Sequence, residues 1–223
     1  MRNLNSKDTK KYLESGELSR PFLDDAFVRN KVAIDYENRL KSKGNANILE
    51  SLYLWVDKNL RSADSDFKLK HKFMRTAEEI WDSGLATGCT DYALVFSTFA
   101  RQIGIPTTLL HTAEKCFLDK VLNNEEFNIR IGHSFCECFL DGEWILVDPT
   151  ARKIIGRYDA SKIILPYSLG EEGRNIYLPY YRGLDLGKKM TSKEHAVFEE
   201  ECILKEYGKT PLKYWKVSNI FLK

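Results

Sequence analysis

The chain of 223 residues lacks an apolar run of the roughly 20 residues needed to cross a bilayer, so no membrane-spanning role is expected. It also lacks internal repeats, low-complexity tracts and long Gly/Ser linkers, which leaves one domain with extensions as the expected organisation. An excess of charge of one sign is missing too. With 34 Lys and Arg against 32 Asp and Glu, the formal net charge is only +2, and the lysines are scattered among acids, so nucleic acid is not an expected partner. Lys10-Lys11 and Lys188-Lys189 read as solvated surface. Cysteine is sparse: five cannot all pair, and no Cys-x-x-Cys motif is present. No leader with a basic start and an apolar core is seen, so a reduced, cytoplasmic protein is expected. What is present, 43% hydrophobic and 12% aromatic residues, suffices for one substantial core.

Three short stretches carry the chemistry. In Ala-Thr-Gly-Cys89-Thr-Asp-Tyr-Ala, the cysteine precedes Ala93, Phe96, Phe99, Ala100 and Ile103 at helical spacing, and Gly104 with Pro106 ends the run. The thiol is therefore expected at a helix N-terminus, where unpaired amides and the helix dipole favour a thiolate. Gly88 leaves room for another chain to approach the sulfur. Asp91 acts against the thiolate, although an exposed carboxylate would be screened, so a positive partner is required.

His133 and Asp148 come from a predicted hairpin. Residues 133–140 and 143–149 are rich in aromatic and aliphatic residues and flank Asp141-Gly142, a two-residue turn signal. A two-residue loop sets Leu140 opposite Glu143, Phe139 opposite Trp144, Glu137 opposite Leu146 and Phe135 opposite Asp148. His133 then becomes the diagonal neighbour of Asp148, at about 7–8 Å between backbones and within side-chain reach. A nucleophile, a base and an orienting carboxylate result. Cys136 and Cys138 alternate onto the opposite strand face from His133. They are thus poorly placed to share a metal with it, and buried structural thiols are expected, with no metal and no cofactor.

The stretches Gly-Cys89-Thr-Asp-Tyr-Ala, Arg101-Gln-Ile-Gly-Ile-Pro106, Gly-His133-Ser-Phe-Cys-Glu137 and Trp144-Ile-Leu-Val-Asp148-Pro-Thr150 resemble the transglutaminase-like superfamily in order and spacing. The resemblance covers roughly residues 46 to 155. It implies a papain-like α+β fold in which the cysteine begins a helix packed on an antiparallel sheet that carries the histidine and aspartate. It also implies Cys89, His133 and Asp148 as catalytic residues, in a superfamily that includes crosslinking transglutaminases, peptide N-glycanases and bacterial or archaeal cysteine proteases. Phe135 stands where the family often has Trp. Relatives often recruit an upstream side chain to the oxyanion hole, which brings Trp55 and Trp81 into view beside the backbone amide of Cys89. Both also fit buried helix stripes, Ile48/Leu52/Trp55/Val56 and Phe73/Ala77/Ile80/Trp81, where core packing is the first use expected of them. Arg101 is read as structural, near a helix C-terminus.

Residues 1–45 read as a helical N-terminal extension packed on the core, with Ser-Arg-Pro21 marking a helix start; a lid over the active-site groove is the alternative. Residues 46–155 form the catalytic core. Residues 156–223 add strands and a helix, and after Thr150 the residues Ile154, Ile155, Ile163, Ile164 and Leu165 are expected in strands. Tyr177, Tyr180 and Tyr181 are expected in core or edge packing or along a substrate groove. Residues 192–207 read as an amphipathic helix with Ala196, Val197, Cys202, Ile203 and Leu204 near its apolar side. The expected function is cysteine-dependent hydrolysis of a peptide, protein or other amide through a Cys89 thioester. Hydrolysis is preferred over amine transfer to protein glutamine because neither the added domains of large crosslinking enzymes nor an acidic calcium loop is seen. A non-enzymatic binding module with the same fold is the rival from another class.

Overall fold

The computed structural model describes residues 9–42, 47–127, 130–157, 165–167 and 175–208. Ile163 and Ile164, expected in a strand, lie outside the described residues. After a 3₁₀ turn at Lys10–Leu13 come α1 (Asp25–Ser42), α2 (Ile48–Asn59), β1 (Arg61–Ser62), α3 (Ser65–His71), α4 (Ala77–Ser83) and β2 (Leu85–Ala86). The chain continues with α5 (Cys89–Gln102), β3 (Thr107–Glu114), α6 (Lys115–Asn123), β4 (Gly132–Leu140) and β5 (Glu143–Asp148). Then follow β6 (Lys153–Arg157), β7 (Leu165–Tyr167), β8 (Asn175–Gly183) and α7 (Ser192–Tyr207). Six strands make an antiparallel sheet in the order β6-β5-β4-β3-β8-β7, while β1 and β2 pair in parallel. The architecture is α+β, as expected.

Helix starts follow local chemistry. Thr76 and Glu79 form a capping box on α4, Thr191 and Glu194 form another on α7, and Asn47 caps α2 through the Leu49 amide. The main core joins Val28 and Val32 of α1, Leu49, Leu52 and Val56 of α2, Ile80 of α4, the buried length of α5, and Leu109, Cys136, Cys138 and Val147 of the sheet. A second, smaller cluster joins Phe117, Leu118 and Val121 of α6 with Leu178, Tyr180, Ile203 and Tyr207. The Cys136 and Cys138 thiols are buried. Burial pushes the first well above the ordinary range and the second up to about 12, so both are apolar packing groups.

The hairpin has the register read from its turn: Glu137 faces Leu146, Phe139 faces Trp144 and Leu140 faces Glu143. Asp141 (φ 53°) and Gly142 (φ 83°) both take positive φ, as a type I′ turn demands. A Cβ at Gly142 would meet nothing within 4 Å, so a Gly142→Val change has only a backbone cost, about 1–2 kcal/mol. The expected fall in melting temperature is about 2–8 °C by thermal circular dichroism. A melt unchanged by the substitution would contradict this turn.

Within residues 9–42, the chain packs on the core. Leu18, Val28 and Val32 are buried, and Asp185 accepts hydrogen bonds from Leu18 N (2.7 Å), Ser19 N (2.9 Å) and Ser19 Oγ (3.0 Å). The helix after Pro21 begins at Asp25. For α7 the span is the one read from the sequence, but the face is not. His195, Glu199, Ile203 and Tyr207 point inward, and Val197 and Leu204 are exposed. Hydropathy alone misplaced this face because two of the inward positions are polar and serve a cavity rather than an apolar core.

Candidate active site

Cys89 opens α5 after Gly88, and no side chain caps the helix there, so the first-turn amides and the helix dipole act on the sulfur. A Cβ at Gly88 would meet nothing within 4 Å; the glycine borders a cavity of about 220 Å³. Cys89 is partly exposed on that cavity. Behind it, Asp91 is only 3% exposed. It accepts hydrogen bonds from Thr87 N (2.7 Å) and Thr87 Oγ1 (2.8 Å) and pairs with Arg75 Nη2 at 2.5 Å. The screened surface carboxylate expected at Asp91 is therefore a buried, neutralised anchor for the turn that presents Cys89. Arg75 also donates to Ser83 Oγ (2.9 Å) and Leu85 O (2.8 Å), tying α4 and β2 to the same turn.

On the adjoining hairpin, His133 Nε2 lies 2.8 Å from Asp148 Oδ2, and Asp148 is fully buried. The other carboxylate oxygen accepts from the Thr150 (3.0 Å) and Ala151 (2.9 Å) amides, so Asp148-Pro-Thr150 forms a turn that holds its own side chain. Nδ1 is left for the Cys89 sulfur, with which His133 is hydrogen-bonded. Burial opposes the imidazolium, but the hydrogen bonds and charges of Asp148 and Cys89 outweigh it and raise the His133 pKa to about 10. Burial likewise opposes the thiolate. The hydrogen bond and charge of His133, with hydrogen bonds from Ser134, prevail and lower the Cys89 pKa. Both shifts favour a thiolate beside an imidazolium.

Other elements contribute groups that the motifs did not disclose. The cavity is lined by Phe73, His111, Arg130, Tyr180, His195 and Glu199, among others. His195 stacks on Phe73 with ring centroids 3.6 Å apart, and Arg130 pairs with Glu199 at 3.3 Å. Of the three tyrosines, Tyr180 lines the cavity, Tyr177 is fully buried near His133, and Tyr181 packs against the main core. Periodicity around Pro179 could not separate these uses, because a register shift in the β3–β8 pairing between His111 and Thr112 changes which residues point together. None of the described residues 9–42 is among those lining the cavity.

Trp55 and Trp81 are elsewhere. Their rings pack on one another (4.9 Å) and on Phe99 (4.8 and 4.9 Å), which lies ten residues into α5, about 15 Å along the helix from Cys89. Neither is among the cavity-lining residues, and the core reading accounts for both. The backbone amide of Cys89, the other donor expected from the sequence, lies at the first residue of α5. Arg101 is structural: it is buried and donates to Thr107 O (2.9 Å), joining α5 to β3. Among the described residues, no group of three or more His, Cys, Asp or Glu side chains is placed to hold a metal ion, and no helix is long and apolar enough to cross a membrane.

The model of the transglutaminase-like superfamily matches residues 34–149, just over half of the chain, and that span contains Cys89, His133 and Asp148. The chain belongs to the transglutaminase-like superfamily. Among solved structures, a candidate cysteine protease from Cytophaga hutchinsonii is similar at 13% identity with a TM-score of 0.49, over 86% of this chain and 50% of its own. The chain thus spans half the length of that protein. No curated protein matches. Within the superfamily fold, α5 and the β4–β5 hairpin bring together the three residues that the motifs marked: Cys89 and His133 line the cavity, and Asp148 is buried against His133.

Proposed function

We propose that this transglutaminase-like protein is a cysteine-dependent amide hydrolase working through a thioester on Cys89. One observation carries the reading: a partly exposed cysteine at an uncapped helix start is hydrogen-bonded to a histidine whose other nitrogen is held by a buried carboxylate. The Cys89 thiolate attacks the amide carbon, the carbonyl electrons move to oxygen, and the Cys89 amide donates to that oxyanion. As the C–N bond breaks, the His133 imidazolium gives its proton to the leaving amine. Water then enters, His133 takes a proton from it, the hydroxyl adds to the thioester carbon, and the C–S bond breaks to release acid and restore the thiolate. Asp148 keeps Nε2 protonated and Nδ1 aimed at the reaction throughout. A non-enzymatic binding module would not need this contact between Cys89 and His133.

The substrate is a peptide, protein or other amide whose acyl group reaches Cys89 through the open cavity. Hydrolysis needs no second binding surface, because water reaches the cavity unaided, whereas amine transfer needs an acceptor site. The cytoplasm belongs to the same reading, since a reducing compartment keeps a nucleophilic thiol active. A glutamine peptide incubated with and without an excess of a primary amine should yield mainly the acid by mass spectrometry. Amine incorporation exceeding acid formation would instead make the protein an amine transferase using the same three residues.

A further inference from the structure

The mechanism above leaves one buried group beside the nucleophile unused. His111 on β3 is 2% exposed, lies among the residues lining the cavity, and has its Nδ1 3.0 Å from Ser134 Oγ. Ser134 follows His133 directly on β4, and its hydroxyl lies 3.8 Å from Cys89 Sγ and 3.1 Å from Thr90 Oγ1. One hydroxyl, with one proton and two acceptor positions, therefore meets three neighbours. We propose that Ser134 is a further catalytic residue, its O–H donating to the Cys89 thiolate, and that His111 is the positioning residue that turns the proton that way. The inference rests on Cys89 being the nucleophile.

Hydrogen-bond accounting selects this direction. A thiolate only accepts, so the Ser134 proton must point to it. Thr90 O–H and His111 Nδ1–H then fill the two acceptor positions of Ser134 Oγ, and each of the three hydroxyl and imidazole contacts is satisfied. In the opposite polarity, Ser134 donates to His111 Nδ1 and loses its contact to the sulfur as a donor. His111 Nε2 would then carry a proton, and that atom is buried without a partner. A buried N–H without an acceptor is a costlier orphan than a lone pair, so the Nδ1–H tautomer is favoured.

The surroundings keep His111 neutral, as the arrangement requires. Burial, with the nearby His195 of α7 and His133 of β4, lowers its pKa to about 3. The Tyr180 and Tyr181 rings of β8 flank it at 6.3 and 5.8 Å. Facing the sulfur itself are His133 and Ser134 of β4, with Tyr180 of β8 close enough to feel its charge. Ser134 transfers no proton in the reaction. It stabilises sulfur as an anion before attack and again when the C–S bond of the tetrahedral intermediate breaks, and therefore acts on both halves of the cycle.

Iodoacetamide labelling of the full chain, resolved by residue and across pH, tests the proposal, with exposed Cys116 as internal standard. In Ser134→Ala the Cys89 profile should move up by about one pH unit, about tenfold slower labelling at mildly acidic pH, with Cys116 unchanged. His111→Leu should shift it in the same direction. His111→Asn, whose amide nitrogen can occupy the Nδ1 position, should stay near wild type. If Ser134→Ala does not fold by thermal melt, the two His111 variants decide. Ser134→Ala and His111→Leu profiles that superimpose on wild type, while His133→Ala loses the low-pH labelling, would overturn this inference and leave the hydrolase reading intact. A wild-type Cys89 that labels no faster than Cys116 would overturn both.

Discussion

Replacing His133 with alanine should lower amide turnover by about 10³- to 10⁴-fold, since one residue of a nucleophile–base–orienter set removes most of what the set supplies. The same change should alter the pH dependence of Cys89 labelling, and its sign follows from the two shifts. In the wild type, the Cys89 pKa is lowered and that of His133 is raised to about 10, so both shifts favour the thiolate–imidazolium pair and labelling should persist below the ordinary cysteine pKa. Without His133, the opposing effect of burial remains, and labelling should appear only at or above the ordinary cysteine pKa of about 8.5. The paired state also contributes stability. The raised His133 pKa makes its share fully present below the ordinary pKa of about 6.5 and lost as pH rises through about 10. Labelling of His133→Ala that matched wild type across pH would remove His133 from the site. Cys116 again serves as reference, because its hydrogen bond with Glu114 pushes its pKa up.

Arg75→Met should be the most damaging change outside the reacting groups. It strands the Asp91 carboxylate, 3% exposed, with only the Thr87 amide and hydroxyl as partners. Breaking one side of a buried pair costs about 3–5 kcal/mol, and for a chain of this size the melting temperature should fall by about 6–20 °C. The double change Arg75→Met with Asp91→Leu removes both charges and should recover most of the melting temperature, since apolar replacement of a buried pair is often close to neutral. Turnover should not recover with it, because Asp91 also holds the Thr87 amide and hydroxyl in the turn before Cys89. A double variant as unstable as the single one would show that the stranded charge is not the cause.

These two expectations draw on different levels of the chain. The His133–Asp148 contact was legible from sequence because Asp141-Gly142 admits a two-residue turn, and strand periodicity of two then propagates the register without further information. The helix start at Cys89 was equally local, set by the periodic run after it and by Gly104 and Pro106 beyond. Arg75 and Asp91 are 16 residues apart, the first in the loop between α3 and α4 and the second in α5, and nothing local says that either is buried. The Asp91 motif position was visible, but its partner and its burial were not. Trp55 and Trp81 show the same limit: hydropathy placed them on buried stripes, and only the packing of three helices around Phe99 separates that core from the cavity.

The sequence by itself therefore determined the superfamily, the α+β class, the hairpin register and the expectation that Cys89, His133 and Asp148 come together. Each depends on contiguous motifs, short-period patterns or one tight turn. Tertiary structure alone decided the cavity wall, where His111, Arg130, Tyr180, His195 and Glu199 arrive from a central strand, a loop, a bulged strand pair and the last described helix. It also decided the inward face of α7 and the junction of Ser134 with Cys89 and His111. The physical reason is sequence separation: contacts between residues tens of positions apart are chosen by how sheets and helices pack together, and no local propensity encodes that choice.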